Sequence, residues 1–354
     1  MRGHLHLHTM KAALLEQIHK LTVKQIPDPQ TDVGGMTVRI KVCAVCNSDL
    51  RIYHYGHNRV QLPQIIGHEV SAIIEHINGT ADGFAIGDRV QITPKIPCGK
   101  CYYCKRGQPL SCTQGLSFGY QLPGGFAELM AVPKAGIDFG VVSKIEDETL
   151  TDNEVAMAEP LACCVRAQQL LSVKSGETVV VIGGGPIGML HCRVAKASGA
   201  FVILIEHDQR RLADVDLSAV DVNIEAPDSD LPPQVMELTQ GEGADVAIVA
   251  CSSTRAQVQA LGLVNKGGRV NFFGGLGVGH PEITIDSDII HYRELTVTGT
   301  HGSLPQDNRE ALELITNREV KVSDLMSHSY SLDAIGEAFA FAESKQGMHV
   351  AVTP

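Results

Sequence analysis

Alternation between apolar and polar side chains dominates the chain from Met10 to about residue 94. A period of two is typical of strands that bury one face, and glycine, proline and asparagine separate the alternating segments. We therefore predict an antiparallel, β-rich first domain. Its predicted strands cover residues 12–17, 21–26, 36–45, 69–77 and 88–94.

Continuous apolar runs replace this alternation beyond about Ala156. Such runs are typical of strands buried on both faces of a parallel sheet, and helical patterns lie between them. The order strand, helix, strand predicts a doubly wound parallel sheet and the α/β fold class. The predicted strands are 177–182, 201–206, 245–250 and 269–274, the last after a turn at 266–268, and the predicted helices are 161–174 and 187–198. The predicted tail has helices at 308–315 and 332–343 and a strand at 349–353.

The overall charge of the chain argues against two classes of partner. The formal net charge of the 354 residues is −11, which disfavours binding to nucleic acid or to an anionic membrane surface. No uninterrupted apolar run reaches the roughly eighteen residues of a membrane-spanning helix. We therefore predict no nucleic-acid partner and no membrane partner.

The first nine residues, MRGHLHLHT, alternate histidine with leucine and threonine and lack the apolar core of a secretory signal. We interpret residues 1–9 as a metal-affinity tag with Met10 as the native start; the alternative is a natural disordered terminus. Without an export signal we expect a cytoplasmic protein, in which the ten cysteines stay reduced.

Four cysteines lie close together in the segment PCGKCYYCKRGQPLSC, with the spacing C-x2-C-x2-C-x7-C. Four thiolates on a short lobe suit a closed tetrahedral Zn²⁺ site, which stabilises a segment with little apolar content of its own. An iron–sulfur cluster uses the same ligands, and two disulfides would need an oxidising compartment. We predict a structural zinc site. Its ligands are Cys98, Cys101, Cys104 and Cys112.

A glycine motif, G-x-G-x-x-G, follows the predicted strand 177–182 and opens the predicted helix 187–198. In this context the pattern predicts a turn that admits the pyrophosphate of a dinucleotide, with the helix amino terminus favouring its charge. A purely structural turn is the alternative. Glu206 ends the next strand, where a carboxylate binds the ribose hydroxyls of NAD. The predicted loop residues are Gly183, Gly185, Pro186, Ile187 and Gly188.

Two further short motifs lie upstream of the four cysteines. They are Cys46-Asn47-Ser48-Asp49 and Gly67-His68-Glu69. Together with the four cysteines, Glu159-Pro160-Leu161 and the glycine motif, they resemble the zinc-dependent medium-chain dehydrogenases. The resemblance extends from Met10 to Pro354, and the segment 46–56 is most similar to that of the polyol dehydrogenases.

The resemblance implies a particular architecture. A GroES-like catalytic domain is expected to comprise residues 10–158 and 302–354, and a Rossmann dinucleotide-binding domain residues 159–301. Members of the family pair their Rossmann sheets edge to edge, so the resemblance also implies a homodimer or homotetramer. The matching strand in this chain is 268–274.

The resemblance further implies a catalytic zinc ion beside the structural one. Its expected ligands are Cys46 and His68, with Glu69 as a third ligand or a close neighbour of the ligands and Glu159 binding zinc directly or through water. Ser48 is expected to relay the proton of the substrate hydroxyl, Asp49 to orient His68, and Tyr55 and Glu159 to contact substrate. One position departs from the family pattern, because Arg51 replaces a histidine that commonly takes part in proton exit, and arginine cannot act as a base.

The nicotinamide coenzyme is expected to contact further backbone segments that match the family. These residues are Phe273, Gly274, Gly275, Thr300, His301 and Gly302. Arg211 matches an arginine that accompanies NAD in the polyol relatives, so we expect it on the adenine side.

The function predicted from these residues is oxidation of a secondary alcohol of a polyol to a ketose, with NAD as hydride acceptor. Dehydrogenases of amino alcohols such as threonine, or of sugar-alcohol phosphates, share the same motifs and remain alternatives. Phosphate specificity needs basic side chains near the site, and Arg51, Arg59 and Lys95 are the residues in question. A redox-sensing nucleotide-binding protein without catalysis is the alternative from another class, which the intact set of predicted catalytic residues disfavours.

Overall fold

The computed structural model describes residues 8–225, 231–277, 279 and 282–354. It divides into two compact units. The first comprises Met1–Glu159, Ser303–Thr316 and Met326–Pro354, and the second comprises Pro160–Gly302 and Asn317–Leu325. Residues 317–325 therefore lie with the second unit, whereas the boundaries expected from the sequence assign them to the first. Residues 1–7 of the expected tag lie outside the described residues.

The first unit is rich in strands, as its alternating pattern predicts. Thr9, assigned above to the tag, is the first residue of the first strand and pairs with Pro27. The strands of this unit are β1 (Thr9–Gln17), β2 (Lys20–Pro27), β3 (Met36–Ala44), β4 (Glu69–Ile77), β5 (Arg89–Ile92), β6 (Lys95–Ile96), β7 (Leu116–Ser117), β8 (Leu129–Val132) and β9 (Val142–Lys144), with two more near the carboxyl terminus, β16 (Met326–Ser331) and β17 (His349–Thr353).

Seven of these strands form one sheet within the described residues, in the order β16-β17-β3-β4-β5-β9 with β8 also beside β3. The pairs around β3, β4 and β5 are antiparallel as predicted, whereas β16 and β17 run parallel. Ala44 at the end of β3 pairs with Glu69 of β4 on one side and with Ala351 of β17 on the other. Segments far apart in sequence therefore meet at the end of β3.

Short helices connect the strands of the first unit. They are α1 (Asn47–Tyr55), α2 (Tyr102–Lys105), α3 (Lys134–Phe139), α4 (Asp152–Ala156), α10 (Pro305–Thr316) and α11 (Ile335–Ser344). The predicted helix 332–343 is split, because Leu332–Ala334 form a 3-10 turn before α11 begins. The core of this unit includes Leu15, Met36, Phe118, Phe126 and Met130, all fully buried.

The second unit alternates helices and strands, as predicted. Its elements are α5 (Ala158–Leu171), which begins in the first unit, then β10 (Thr178–Ile182), α6 (Pro186–Ala197), β11 (Phe201–Glu206), β12 (Val222–Glu225), α7 (Leu231–Leu238), β13 (Ala244–Val249), α8 (Thr254–Leu263), β14 (Val264–Phe272), α9 (Ser287–Tyr292) and β15 (Thr296–Gly299).

Six strands of this unit form one parallel sheet over the described residues, in the order β12-β11-β10-β13-β14-β15. The order reverses beside β10, the first strand in sequence, which is the position where doubly wound sheets bind ligands at the carboxyl ends of their strands. The glycine motif follows β10, so the fold places it at this point.

Two predicted boundaries differ from the structure. Helix α5 ends at Leu171 rather than at residue 174, because Ser172 adopts a left-handed backbone with φ of 52°. The predicted turn at 266–268 lies inside β14, where Gly267 has φ of 74°. The register against β13 jumps there from Val264 to Arg269, so the turn is an interruption within the strand. Among the described helices, none is both long and apolar enough to cross a membrane.

Candidate active site and metal centres

Cys46, His68 and Glu69 come together in the first unit. Each offers one ligand atom, and these atoms all lie within 4.8 Å of one another. His68 and Glu69 are buried and Cys46 is half-buried. The three predicted ligands therefore form a single group with one sulfur, one nitrogen and one oxygen donor.

The sheet explains how these residues converge. Strand β3 ends at Ala44, so Cys46 follows directly and caps the amino terminus of α1. Glu69 begins β4 opposite Ala44, and the preceding residue, His68, therefore lies beside the start of α1. The loop that follows β3 and the residues at the start of β4 therefore meet at the same end of these two strands.

The Asp49 carboxylate connects these segments. One oxygen accepts a hydrogen bond from the backbone N–H of Cys46 and the other from that of Gly67, both at 3.0 Å. The same carboxylate lies 3.4 Å from His68 Nδ1 and is fully buried. Asp49 thus holds the Cys46 loop against the His68 segment, and its charge favours the imidazole orientation in which Nε2 points away from it.

Ser48 and Tyr120 lie next to the same imidazole. Ser48 Oγ is 3.3 Å from His68 Nε2, and the ring centres of His68 and Tyr120 are 6.0 Å apart. Burial raises the pKa of Tyr120, while the nearby side chains of His68 and Ser48 oppose the rise. Tyr120 was not identified from the sequence, because it lies far from the motifs and carries no spacing signal of its own.

His349 is a second residue that sequence reasoning did not find. Its Nε2 lies 2.5 Å from Glu69 Oε2, and both side chains are buried. His349 begins β17, which pairs with β3 at the position next to Cys46. A residue 280 positions away from Glu69 therefore completes its surroundings.

Glu159, the fourth expected ligand, takes a different position. It is buried at the start of α5, and its charge contributes to the environment of His349. Within the described residues, the group of ligand atoms that share the 4.8 Å limit contains Cys46, His68 and Glu69 without it. Direct ligation by Glu159 stays a prediction.

The ionisation of the group follows from burial and from its opposite charges. Burial and the nearby Glu69 carboxylate raise the pKa of the Cys46 thiol. Burial disfavours the charged form of His68, but Asp49 and Cys46 outweigh it and raise the His68 pKa well above its ordinary value. Burial likewise opposes ionisation of Glu69, yet the neighbouring His349 lowers its pKa. Buried negative donors of this kind are stabilised by a bound cation, so the group fits zinc by both donor chemistry and charge.

The four predicted structural cysteines also form one group. All four are free thiols, and their sulfur atoms lie within 4.8 Å of one another. The Cys101 sulfur is 3.5 Å from that of Cys104 and 3.7 Å from that of Cys112. A tetrahedral site with Zn–S bonds of about 2.3 Å places its sulfurs about 3.8 Å apart, whereas a disulfide requires about 2.05 Å. The lobe therefore fits a closed zinc site.

We expect Cys104→Ser to lower the thermal midpoint by about 10 °C or more, because the binding energy of a structural metal is also folding energy. The folded fraction should keep its Michaelis constant, since a closed site has no position for substrate. Scanning calorimetry, zinc analysis and steady-state kinetics on the same preparation check this. Loss of turnover with unchanged stability and zinc content would contradict the structural role.

The glycine loop of the second unit has the shape that a pyrophosphate requires. Gly183 has φ of 104°, in the region that favours glycine. A Cβ on Gly188 would lie 1.7 Å from the carbonyl oxygen of Gly183, so only glycine allows α6 to pack this closely on β10. Gly185 precedes α6, whose first residues are Pro186 and Ile187. The backbone N–H groups at this helix start suit a bound phosphate.

Glu206 lies at the carboxyl end of β11, beside this loop. Its carboxylate accepts hydrogen bonds from the backbone N–H groups of Gly184 at 2.6 Å and of Asp208 at 2.8 Å, and the side chain is buried. Because a carboxylate has about four acceptor positions, these two bonds leave capacity for ribose hydroxyls. The Arg211 guanidinium lies against Gly185, 3.2 Å from where a Cβ would be.

The remaining predicted coenzyme residues follow the carboxyl ends of two further strands. Phe273, Gly274 and Gly275 come after β14, and Thr300, His301 and Gly302 come after β15. The Phe273 ring packs edge-on against His191 with centres 4.5 Å apart. Thr300 Oγ1 donates to Asn271 Oδ1 at 3.1 Å, which anchors the segment after β15 to β14.

Tyr55, the expected substrate contact, lies at the last residue of α1 and is 60% exposed. Its recorded ring contact is with His54, at 5.9 Å. The structure thus brings Tyr120 rather than Tyr55 against His68.

Comparison with known proteins places both units among described families. Residues 32–144 match the family described as alcohol dehydrogenase GroES-like domain, and residues 186–317 match the family described as zinc-binding dehydrogenase. The chain is similar to the sorbitol dehydrogenase of Halalkalibacterium halodurans, with 32% identity over 343 residues that make up 94% of this chain and 95% of that protein.

Two other similarities are informative. The L-threonine 3-dehydrogenase of Pyrococcus horikoshii is 31% identical over 89% of this chain and 90% of its own length. The crystal structure of a zinc-binding dehydrogenase from Sinorhizobium meliloti bound to NADP superposes with a TM-score of 0.88 and 28% identity, covering 98% of this chain and 100% of that chain.

Proposed function

Because the chain belongs to the zinc-dependent medium-chain alcohol dehydrogenase family, we propose that it oxidises a secondary alcohol of a polyol to a ketone with NAD as hydride acceptor. The observation that carries the proposal is the group formed by Cys46, His68 and Glu69, with Ser48 at 3.3 Å from the imidazole. A hydroxyl brought to this group is next to both a cation site and a proton acceptor.

In this proposal Cys46, His68 and Glu69 hold a catalytic zinc ion, and Glu159 contributes from α5. When bound, zinc supplies a Lewis acid that acidifies an alcohol, and NAD supplies the acceptor for a hydride. Asp49 orients His68 and holds the loop of Cys46, so the donor atoms keep their arrangement through the reaction.

Proton transfer is the task of Ser48. Its hydroxyl accepts the proton of the substrate hydroxyl and passes it towards Tyr120 and solvent, since both Tyr120 and His68 lie next to it. Arg51 is exposed, and an arginine side chain cannot act as the exit base. The substrate carbon loses hydride to NAD and its oxygen loses the proton, which leaves a ketone.

The second unit holds the coenzyme. The loop from Gly183 to Gly188 cradles the pyrophosphate, and Glu206 accepts hydrogen bonds from the adenosine ribose. The segments after β14 and β15, at Phe273–Gly275 and Thr300–Gly302, line the nicotinamide. We propose NAD rather than NADP because a buried carboxylate beside the ribose repels a 2′-phosphate.

A vicinal diol should be oxidised about 100-fold or more efficiently than the mono-alcohol that lacks the neighbouring hydroxyl. The second hydroxyl can bind Glu159 or the cation site, which fixes the position of the reacting carbon, and a mono-alcohol lacks this second point of attachment. Steady-state kcat/KM values for matched pairs of alcohols, followed by NADH absorbance, measure the ratio.

The control for this comparison is a primary mono-alcohol series, in which chain length changes but the number of hydroxyls does not. Equal efficiency on the diol and on its mono-alcohol analogue would contradict the polyol assignment and would favour a broad alcohol dehydrogenase. No oxidation of any alcohol by zinc-loaded enzyme that binds NADH would favour the non-catalytic alternative.

The assembly and location remain part of the proposal. We propose a homodimer or homotetramer that pairs the sheets of the second unit. The resemblance to the family implies a contact near 268–274, whereas over the described residues the outer strand on that side is β15, next to β14. A cytoplasmic location suits the chain, because the thiols of both cysteine-containing groups must stay reduced to bind metal.

A further inference from the structure

We propose that Arg59, which stacks on Tyr120, and the neighbouring Lys95 form a subsite for a phosphate group, so that the preferred substrate is a polyol phosphate. This inference rests on the proposed function, because it names the class of alcohol that the same site accepts. Both residues belong to the first unit, as do Ser48 and His68.

Tyr120 connects the subsite to the reacting groups. Its ring centre is 6.0 Å from that of His68, and its phenol is close enough to Ser48 for that hydroxyl to affect the Tyr120 pKa. The ring therefore forms one wall of the space in which a substrate hydroxyl meets Ser48.

Arg59 packs on the same tyrosine ring. Its guanidinium carbon lies 4.8 Å from the centre of the Tyr120 ring, a cation–π arrangement. With the 6.0 Å separation of the Tyr120 and His68 rings, the guanidinium carbon is at most 10.8 Å from the centre of the His68 ring. A short carbon chain with its hydroxyl at Ser48 can therefore place a terminal group at Arg59. The face-on contact with tyrosine also orients the guanidinium fork.

Lys95 adds a second positive charge in a buried position. The residue is 8% exposed and forms the short strand β6. Burial lowers its pKa, and the positive charge of nearby Arg59 lowers it further. Among the described residues, neither Lys95 nor Arg59 forms an ion pair with a carboxylate. Two cations held close together without a carboxylate partner repel each other, and a bound anion relieves that repulsion.

Other basic side chains also lie close to Arg59 and Tyr120. Partial burial lowers the pKa of His57, and the charges of nearby Arg59 and Arg51 lower it further. The His57 ring packs edge-on against Tyr120 at 5.2 Å. This concentration of basic groups is local, because the whole chain has a formal net charge of −11. Such a patch beside a reactive site attracts an anionic substrate rather than a neutral one.

The charge of the subsite favours phosphate over carboxylate. A phosphate monoester carries about −1.5 to −2 at neutral pH and three strong acceptor oxygens. It can therefore match a guanidinium and an ammonium at once, and arginine binds it through two parallel hydrogen bonds. A carboxylate carries a single negative charge and would leave one of the two cations unbalanced.

The cysteine lobe offers a different explanation for Lys95 but not for Arg59. Lys95 lies close enough to Cys112, Cys104 and Cys101 for their thiolates to favour its charged form. If Lys95 only balanced the charge of those thiolates, an arginine next to it would serve no purpose. A second cation there disfavours the charged form of the lysine. A phosphate subsite predicts that loss of Lys95 reduces the preference for a phosphate ester. Charge balance in the lobe predicts no change in that preference.

The test compares a pentitol with its terminal phosphate monoester, using zinc-loaded enzyme and NAD. We expect the wild-type enzyme to prefer the phosphate ester, and Arg59→Met to lower kcat/KM for the ester by about 10- to 100-fold while leaving the neutral pentitol unchanged. Arg59→Lys should restore part of the loss, because it keeps the charge. Inorganic phosphate should compete with the neutral pentitol in the wild type and lose most of this effect in Arg59→Met.

A matched control exists in the same unit. Arg106 lies over the Tyr102 ring at 5.2 Å, in the cysteine lobe, so Arg106→Met removes an equivalent exposed arginine from an equivalent stack. Arg106→Met should leave the ratio of kcat/KM for the ester to kcat/KM for the neutral pentitol unchanged. Lys95→Met should reduce the preference for the ester with zinc content intact. Loss of zinc without a change in preference would assign Lys95 to the lobe and remove it from the subsite.

The outcomes separate this inference from the proposed function. If both alcohols are oxidised equally well and Arg59→Met leaves their ratio unchanged, the subsite is wrong while the dehydrogenase function stands. If neither alcohol is oxidised although zinc and NADH bind, the proposed function is wrong. Preference for a 2-amino-3-hydroxy acid that Arg59→Met abolishes would overturn phosphate in favour of a carboxylate.

Discussion

Cys46→Ala is expected to abolish turnover, with kcat/KM falling about 1000-fold or more and with NADH binding retained. The variant removes the thiolate from the group that Cys46 forms with His68 and Glu69, so the cation at that site is lost or weakly held. Metal-based activation of a hydroxyl is worth several kcal/mol, and each 1.4 kcal/mol is a factor of ten in rate. Zinc analysis should show one equivalent fewer than the wild type, and NADH fluorescence titration should show an unchanged dissociation constant.

Cys43→Ala is the matched control for this variant. Cys43 is a fully buried thiol three residues earlier, on β3, and burial raises its pKa well above its ordinary value. Its loss should leave zinc content and kcat/KM close to those of the wild type. Full activity of Cys46→Ala, or equal losses in the two variants, would show that the metal group has been misassigned.

The coenzyme preference should favour NADH over NADPH by about 100-fold or more in kcat/KM. The buried Glu206 carboxylate lies where we propose that the ribose hydroxyls bind, and a like charge at hydrogen-bond distance costs several kcal/mol. Glu206→Gln should narrow the preference at least tenfold, mainly through a lower KM for NADPH. Steady-state kinetics in the reducing direction, with both reduced coenzymes at saturating ketone, measure the two ratios.

Asp208→Asn provides the control for that experiment. Asp208 lies two residues after Glu206 but pairs with the exposed Arg210, so its charge is already compensated. It should leave the preference nearly unchanged. Comparable efficiency of wild-type enzyme with NADPH would contradict the assignment and would give Arg211, beside Gly185, the role of binding a 2′-phosphate.

Much of the architecture could be predicted from local sequence patterns. The family and the α/β fold class, with a GroES-like domain and a Rossmann domain, are confirmed. Strand β11 was predicted with its observed ends, because FVILIE is a nearly continuous apolar run. The strand lies between two partner strands and is buried from its second residue onwards. The ends of α5 and β14 were less well predicted, since Ser172 and Gly267 adopt left-handed backbone conformations that depend on their surroundings.

The candidate site was predictable only where short motifs bring its residues together. Cys46, Ser48 and Asp49 share one turn, and His68 and Glu69 are adjacent, so order and spacing indicate them. Tyr120 and His349 reach the same place through pairing between distant segments, which no local pattern encodes. The same holds for Arg59 and Lys95, whose proximity to each other depends on how the loops after α1 and before β6 fold.

The contact between His349 and Glu69 has a consequence for the order of events during synthesis. Domains generally fold as the chain leaves the ribosome, with amino-terminal parts first. Here the strand that completes the surroundings of Glu69 is translated 280 residues after it, and the whole second unit is made in between. Until that strand has been made, the group of Cys46, His68 and Glu69 lacks the contact with His349. Secure uptake of the catalytic metal becomes a late step of biogenesis, and chains truncated before residue 349 should reach that step with the site incomplete.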